Sequence, residues 1–388
     1  MLDDDQATSD EAQPEQADHM VDRPQTSTRD YDVLRDQLQT WMQANLPGSS
    51  IHDLTVPASN GMSSETVLLE VEVPGETSTR RLVARIAPDE AADPVFPRYD
   101  MELQFRTMQM VQQHTDVPVP TVHWLETDVA AIGAPFFVME RIDGIVPPDV
   151  MPYTFGDNWF FDATLEEQER LERQAVAVLV ALHELRPDGP AAFLVPPGDD
   201  RSALRRHVDG QRDYYEWVAA DGTRSPLIEQ GFEWLEEHWP TQEGEAVFSW
   251  GDARIGNMMF EDFSPVAVLD WEMAATGPRE IDLGWMIYIH RFFQDLVEDL
   301  GMDGMPHVLR RGTVADIYQE LSGYTPQDLD FYTAYAALRH GIVMFRIARR
   351  QATFGEAEMP EDPDHAILHH AHLRKMIDGV YWSNVKGL

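Results

Sequence analysis

Near residue 143 the hydrophobic period of this chain changes, and that change limits its fold more than any other feature. Upstream, Thr66–Val73 (TVLLEVEV) and Arg81–Ile86 (RLVARI) are strand-like runs separated by the turn Pro74-Gly75-Glu76. Phe136–Ile142 (FFVMERI), closed by Asp143-Gly144, reads as a third strand. Apolar residues at 34, 38, 41, 42 and 46 predict a helix over Tyr31–Leu46, stopped by Pro47-Gly48. Leu103, Met108 and Val111 predict another over Tyr99–His114. Downstream the pattern is mostly helical. Thr164–Leu185 opens on a capping pair, Thr164 and Glu167, and Ile281–Leu300 and Leu329–Arg350 follow. Two strand-like pieces, Ala246–Trp250 and Val266–Trp271, interrupt it. The expectation is an α+β chain: an acidic, disordered tail over 1–28, a small sheet-based lobe over 29–141, and a larger, mainly helical lobe over 142–388.

Composition narrows the function. The 388 residues are 43% hydrophobic, enough for a buried core, and include no cysteine, which excludes disulfides, thiolate zinc sites and cysteine nucleophiles. The longest purely apolar run, Ala175–Leu182, is far short of the roughly 18 residues that span a bilayer. The N-terminus lacks a basic-then-apolar leader, so the cytoplasm is the expected location. Acids outnumber bases 68 to 29, for a formal charge of −39. That field argues against nucleic-acid and anionic-membrane partners. Only Lys375 and Lys386 are lysines. Hydration in concentrated salt or a high-GC genome would each account for this, and nothing in the sequence fixes an oligomeric state.

The chemistry is concentrated in 248–272 (FSWGDARIGNMMFEDFSPVAVLDWE). Asp252 and Asn257 lie five residues apart on a glycine-bearing loop, and Asp270 ends an apolar strand 18 residues after Asp252. Taken singly, such residues are usually turn formers or caps. Together they are the parts that phosphoryl transfer needs. One carboxylate orients the attacking hydroxyl, while an amide oxygen and a second carboxylate suit Mg²⁺.

This segment resembles the catalytic and metal motifs of the aminoglycoside phosphotransferase-like family, relatives of protein kinases. Thr276-Gly277-Pro278-Arg279-Glu280-Ile281-Asp282-Leu283-Gly284 extends the likeness, which spans roughly 31–350 and is nearest the branch associated with acyl-CoA dehydrogenases. The resemblance implies a two-lobed protein-kinase-like fold with ATP and Mg²⁺ in the cleft, and phosphorylation of a small-molecule hydroxyl acceptor. It implies Asp252 as catalytic base, Asn257 and Asp270 as metal ligands, and Asp282 as a buttress of the loop. Ser59, Asn60, Gly61, Met62, Ser63 and Ser64 fall at the phosphate-loop position. Arg85 falls at the phosphate-contacting basic position, with Glu102 as its expected ion-pair partner. Met139, Glu140 and Ile142 fall in the interlobe linker, where backbone groups of Glu140 and Ile142 would pair with adenine. Trp250 stands where the family usually has His, as a space-filling scaffold that donates one hydrogen bond.

Other candidates are weaker. His365, His369, His370 and His372 read as a surface or core-edge helix rather than a metal site. Glu272, Asp295, Glu298 and Asp299 are acids available to an aminoglycoside pocket, though an acid-rich chain supplies such clusters by chance. The branch resemblance favours a metabolic hydroxy compound over an antibiotic. The alternative is a non-catalytic kinase-like module that binds a nucleotide or a partner protein.

Overall fold

A computed structural model describes residues 29–57, 64–89 and 93–385. The acidic tail, most of the phosphate-loop segment (Ser59, Asn60, Gly61, Met62 and Ser63) and Lys386 lie outside the described residues. Asp30 caps the first helix, α1 (Tyr31–Asn45), which turns Leu34, Leu38, Trp41 and Met42 into the core. Strands β1 (Ser50–Thr55), β2 (Glu65–Glu72) and β3 (Arg80–Ile86) follow. Helix α2 (Met101–His114) then leads to β4 (Val122–Glu126) and β5 (Phe136–Glu140). The five strands form one antiparallel sheet in the order β1-β2-β3-β5-β4. Alternation on β2 buries Val67, Leu69 and Val71 on one face.

The sheet is larger than the sequence predicts. β1 shows mostly polar, exposed residues along the sheet edge, and β4 is half-buried, so neither carries a clean apolar alternation.

The rest is mainly helical: α3 (Leu165–Leu182), α4 (Ala203–Val218), α5 (Pro226–Glu237), α6 (Glu280–Asp299), α7 (Arg311–Ser322), α8 (Leu329–Phe354) and α9 (His370–Ile377). Thr164 and Glu167 form the expected reciprocal cap on α3. Between α5 and α6 come β6 (Ala246–Ser249), β7 (Met258–Glu261), β8 (Ser264–Val268) and β9 (Ala275–Pro278), paired β6 with β9 and β7 with β8. These two ribbons carry the loops that bear the acids. Gly284 lets α6 approach α8, since a Cβ there would stand 2.8 Å from the Tyr332 backbone. One hydrophobic cluster runs from Leu34 to Tyr381 and joins both parts. The architecture is the expected α+β arrangement, a small sheet with one main packed helix above a larger helical body. No described helix is long and apolar enough to cross a membrane.

Candidate functional site

A cleft of about 360 Å³ opens between the sheet and the helical body. Leu68 and Val83 from the sheet, Met259 from β7 and Leu269 just after β8 line its apolar walls. Met139, Glu140, Arg141 and Ile142 form its hinge side. The Glu140 amide donates to the Thr121 carbonyl at 2.8 Å, which confines any backbone contribution of Glu140 toward a base to its carbonyl. Ile145 fastens the linker to Phe260 by a reciprocal pair of backbone bonds at 3.0 and 2.8 Å.

Three predicted residues lie close together beside the cleft: Asp270 lines it, the Leu269 amide donates to the Asn257 carbonyl at 2.9 Å, and Asp252 is near enough to act on Asp270. Asp252 accepts from the Asn257 amide nitrogen at 2.7 Å, from Trp285 Nε1 at 2.6 Å and from Arg254 Nε at 3.2 Å. Because the Asn257 nitrogen is committed to Asp252, its amide oxygen is the atom left to act as a ligand. Asp270 sits at φ +59°, directly after the run that follows β8. Its Oδ1 is buried with no hydrogen-bond partner, and Arg85 Nη2 approaches it only to 3.7 Å. Burial pushes the Asp270 carboxyl above the usual carboxylate range; Arg85 opposes that shift and Asp252 adds to it. A buried carboxylate oxygen with no protein donor fits a hard divalent cation, and with the Asn257 oxygen it supplies two oxygen ligands suited to Mg²⁺.

A hydrogen-bonded frame holds the loop. Asp282 accepts from Ser249 Oγ at 2.8 Å, from the Trp250 and Gly251 amides at 2.8 and 3.0 Å, and from His183 Nε2 at 3.1 Å. Burial would raise the Asp282 carboxyl, but His183 and these donors hold it below its ordinary value. Gly251 adopts φ +91°, and a Cβ there would lie 2.2 Å from the Met273 carbonyl oxygen, so the turn admits no side chain. The fully buried Trp250 packs at a tilt against Trp271, ring centroids 5.6 Å apart, and its Nε1 reaches two carbonyls, Leu269 at 3.0 Å and Asp270 at 3.1 Å.

Arg85 lines the cleft and donates to Thr66 Oγ1 at 3.0 Å. Its expected ion pair with Glu102 is not made. Glu102 is exposed and faces Arg106, 3.7 Å away, because the inward face of α2 is set by Met101, Gln104, Phe105 and Met108. Two positions along a helix turn a side chain about 200°, so Gln104, not Glu102, reaches the cleft. Gln104 is 3% exposed and its Nε2 has no hydrogen-bond partner. Ser64 is buried beside β2, its Oγ also without a hydrogen-bond partner.

Two further candidates, Arg254 and Gln104, lie beside these residues. Arg254 bridges Asp252 and Asp149, the latter at 2.9 Å; burial alone would lower its pKa, and the two carboxylates raise it instead. Its signal was visible, a cation two residues after Asp252. Gln104 required the correct helix phase. The histidines divide: His369 is buried and stacks on His340 at 5.0 Å, whereas His365 is exposed. Among the described residues no three His, Asp or Glu side chains are grouped to hold a metal. Asp295 is bound to Arg291 and Tyr381, so of the four acids considered for an aminoglycoside pocket it is held elsewhere, while Glu272 borders a second cavity beside the cleft.

Comparison with known proteins gives the family and the fold. The profile described as "Phosphotransferase enzyme family" matches residues 55–310. Acyl-CoA dehydrogenase family member 10 of Mus musculus is 25% identical over 376 residues, covering 86% of this chain and 32% of that protein. The chain thus spans about a third of that relative's length. An aminoglycoside phosphotransferase-like structure from Ralstonia eutropha superposes with a TM-score of 0.64 at 22% identity, covering 90% of this chain and 98% of that one. A thermostable mutant of aminoglycoside phosphotransferase APH(4)-Ia, in ternary complex with ADP and hygromycin B, gives 0.50 at 18% identity, covering 91% and 100%. At these identities the structures share a fold with the chain.

Proposed function

The chain belongs to the phosphotransferase enzyme family, and from that premise we propose that it transfers the terminal phosphoryl group of ATP to a hydroxyl of a small metabolic compound. The observation that carries the reading is the grouping of Asp252 and Asn257 beside Asp270, which lines the cleft and keeps a buried oxygen that no protein donor satisfies. Residues 29–141 then serve as the nucleotide lobe and 142–388 as the lobe that binds the acceptor. Glu140 and Ile142 edge the base, Arg85, Gln104 and Ser64 face the phosphates, and Asn257 and Asp270 hold Mg²⁺.

Mg²⁺ held by Asn257 and Asp270 would supply positive charge to neutralise the phosphates. Asp252 accepts the proton of the acceptor hydroxyl as that oxygen bonds to phosphorus. Trp285 and Asn257 fix the carboxylate in place, which lowers the cost of orienting it. The relation to a relative named as an acyl-CoA dehydrogenase, together with the engagement of Asp295 by Arg291, favours a metabolic acceptor over an aminoglycoside.

A thermal-shift assay tests this directly. A ligand that binds only the native state stabilises it by about 2.7 kcal/mol at a hundred times its Kd. ATP with Mg²⁺ should raise the midpoint, ATP with EDTA should raise it less, and Asp270→Ala should abolish the difference. A midpoint indifferent to Mg·ATP overturns the reading.

A further inference from the structure

A second cavity, of about 350 Å³, lies between the start of α2, α4 and α8 and meets the nucleotide cleft at Gln104, which borders both. Its charge runs against that of the whole chain. Where acids outnumber bases 68 to 29 overall, this cavity is bordered by Arg98, Arg206 and Arg339 against Asp100 and Glu272. Asp100 is already committed, capping α2 through the Leu103 amide at 2.8 Å and facing Arg98 at 3.3 Å.

Arg339 is the anomaly. It is 1% exposed, yet its Nε and Nη1 have no hydrogen-bond partner. Only Nη2 is engaged, donating to the Gly251 carbonyl at 3.1 Å. The guanidinium lies over the Trp285 ring, 4.4 Å from its centroid, and Asp282 and Asp252 act on it only at longer range. Burying a cation is costly unless it is paired and hydrogen-bonded. Burial accordingly lowers the Arg339 pKa. Arg206 adds a half-buried second cation, with Nη1 on the Arg201 carbonyl. Tyr99, Tyr214 and Phe96 supply an apolar wall, with Phe96 and Tyr214 rings 5.5 Å apart.

We propose that this cavity is the acceptor subsite, and that Arg339 with Arg206 holds an oxyanion carried by the acceptor, a carboxylate or a phosphate. A guanidinium presents parallel donors that match either group. The placement suits the reaction. Trp285, against which Arg339 packs, donates to Asp252, so an anion on Arg339 sits one side chain away from the carboxylate that must receive the hydroxyl proton. The inference rests on the phosphotransfer reading and adds the class of acceptor: an anionic alcohol, not a neutral polyol or an amine.

The test uses the full chain with Mg²⁺ and a non-hydrolysable ATP analogue, titrated calorimetrically with matched probes. Straight-chain ω-hydroxy acids from glycolate to 6-hydroxyhexanoate are compared with the corresponding diols, and glycerol 3-phosphate with glycerol. At least one anion should bind tenfold or more tightly than its neutral partner. The arm that shows the preference identifies carboxylate or phosphate. Arg339→Met should erase the preference, Arg339→Lys should restore part of it, and Arg206→Gln should weaken it several-fold. The midpoint shift with Mg·nucleotide should remain in each variant. If Arg339→Met loses that shift through misfolding, Arg206→Gln carries the test. No anion preference in the wild-type chain, or a preference that survives both substitutions, overturns the proposal. ADP release measured on the same probes separates the two readings. Turnover of diols as fast as of acids removes the anionic acceptor and leaves phosphotransfer standing. No ADP release and no nucleotide shift removes phosphotransfer and with it the acceptor role, while the calorimetric preference still decides whether the cavity holds an oxyanion.

Discussion

Trp250 Nε1 donates to the backbone carbonyl of Asp270 at 3.1 Å, tying the loop that carries Asp252 to the turn that carries the second candidate metal ligand. The indole reaches Leu269 as well, at 3.0 Å, so one side chain sets the position of a residue held at positive φ. Trp250→Phe keeps most of the packing against Trp271 and removes the donor. It should destabilise the fold by about 1 kcal/mol and weaken Mg·ATP binding more than Mg-free ATP binding, as read by paired thermal shifts. Equal effects on both would show that the indole only fills space.

Asp252 accepts three side-chain donors and is the proposed acceptor of the hydroxyl proton. Asp252→Ala should lower kcat by roughly 10²–10⁴-fold, the usual contribution of a positioned acid or base. Nucleotide binding should be nearly unchanged, because the candidate metal ligands Asn257 and Asp270 remain. ADP-release kinetics beside a nucleotide thermal shift check both halves; turnover within twofold of wild type removes Asp252 from the chemistry.

Gln104 and Glu102 should behave oppositely. Gln104→Leu removes a buried amide that borders the cleft, and a lost hydrogen bond of about 1 kcal/mol corresponds to roughly fivefold weaker nucleotide binding. Glu102→Ala removes an exposed carboxylate that faces Arg106, and its binding curve should overlay that of the wild type. A large loss at Glu102 would mean that α2 rotates on binding to bring that carboxylate to Arg85.

The contrast marks what the sequence makes legible. Asp252, Asn257 and Asp270 are close in the chain, and the β7–β8 ribbon that joins them is short, so their spacing alone brings them together. The long helices declare themselves by apolar period and caps, as Thr164 and Glu167 do on α3. The orientation of α2 does not, because Leu103, Met108 and Val111 permit more than one phase. Only the packing of Met101 and Phe105 turns Glu102 outward. Arg339 is less legible still. It lies 87 positions from Asp252, and its unpaired charge exists only once α8 packs beneath the loop. An arginine in a helical run carries no mark of burial in the sequence.

Glu172 offers a prediction about stability rather than catalysis. It lies on α3, 4% exposed, with Oε1 lacking a hydrogen-bond partner. Burial raises its carboxyl from the ordinary 4.5 to about 7, against partial relief from the Leu309 amide. The native state therefore keeps a proton that the unfolded chain releases across that interval. Its contribution to stability is full below about pH 4.5 and is lost as pH rises through 7. The loss is at most about 3 kcal/mol, at 1.36 kcal/mol for each pH unit between the two values. Glu172→Gln keeps an acceptor for Leu309 and removes the charge. Its melting midpoint should match wild type at pH 4.5 and exceed it by about 3–4 °C at pH 8. The other acids of the chain are common to both proteins, so the difference between the two melting curves isolates this group. A constant difference across the range would show that Glu172 is charged in the native state throughout.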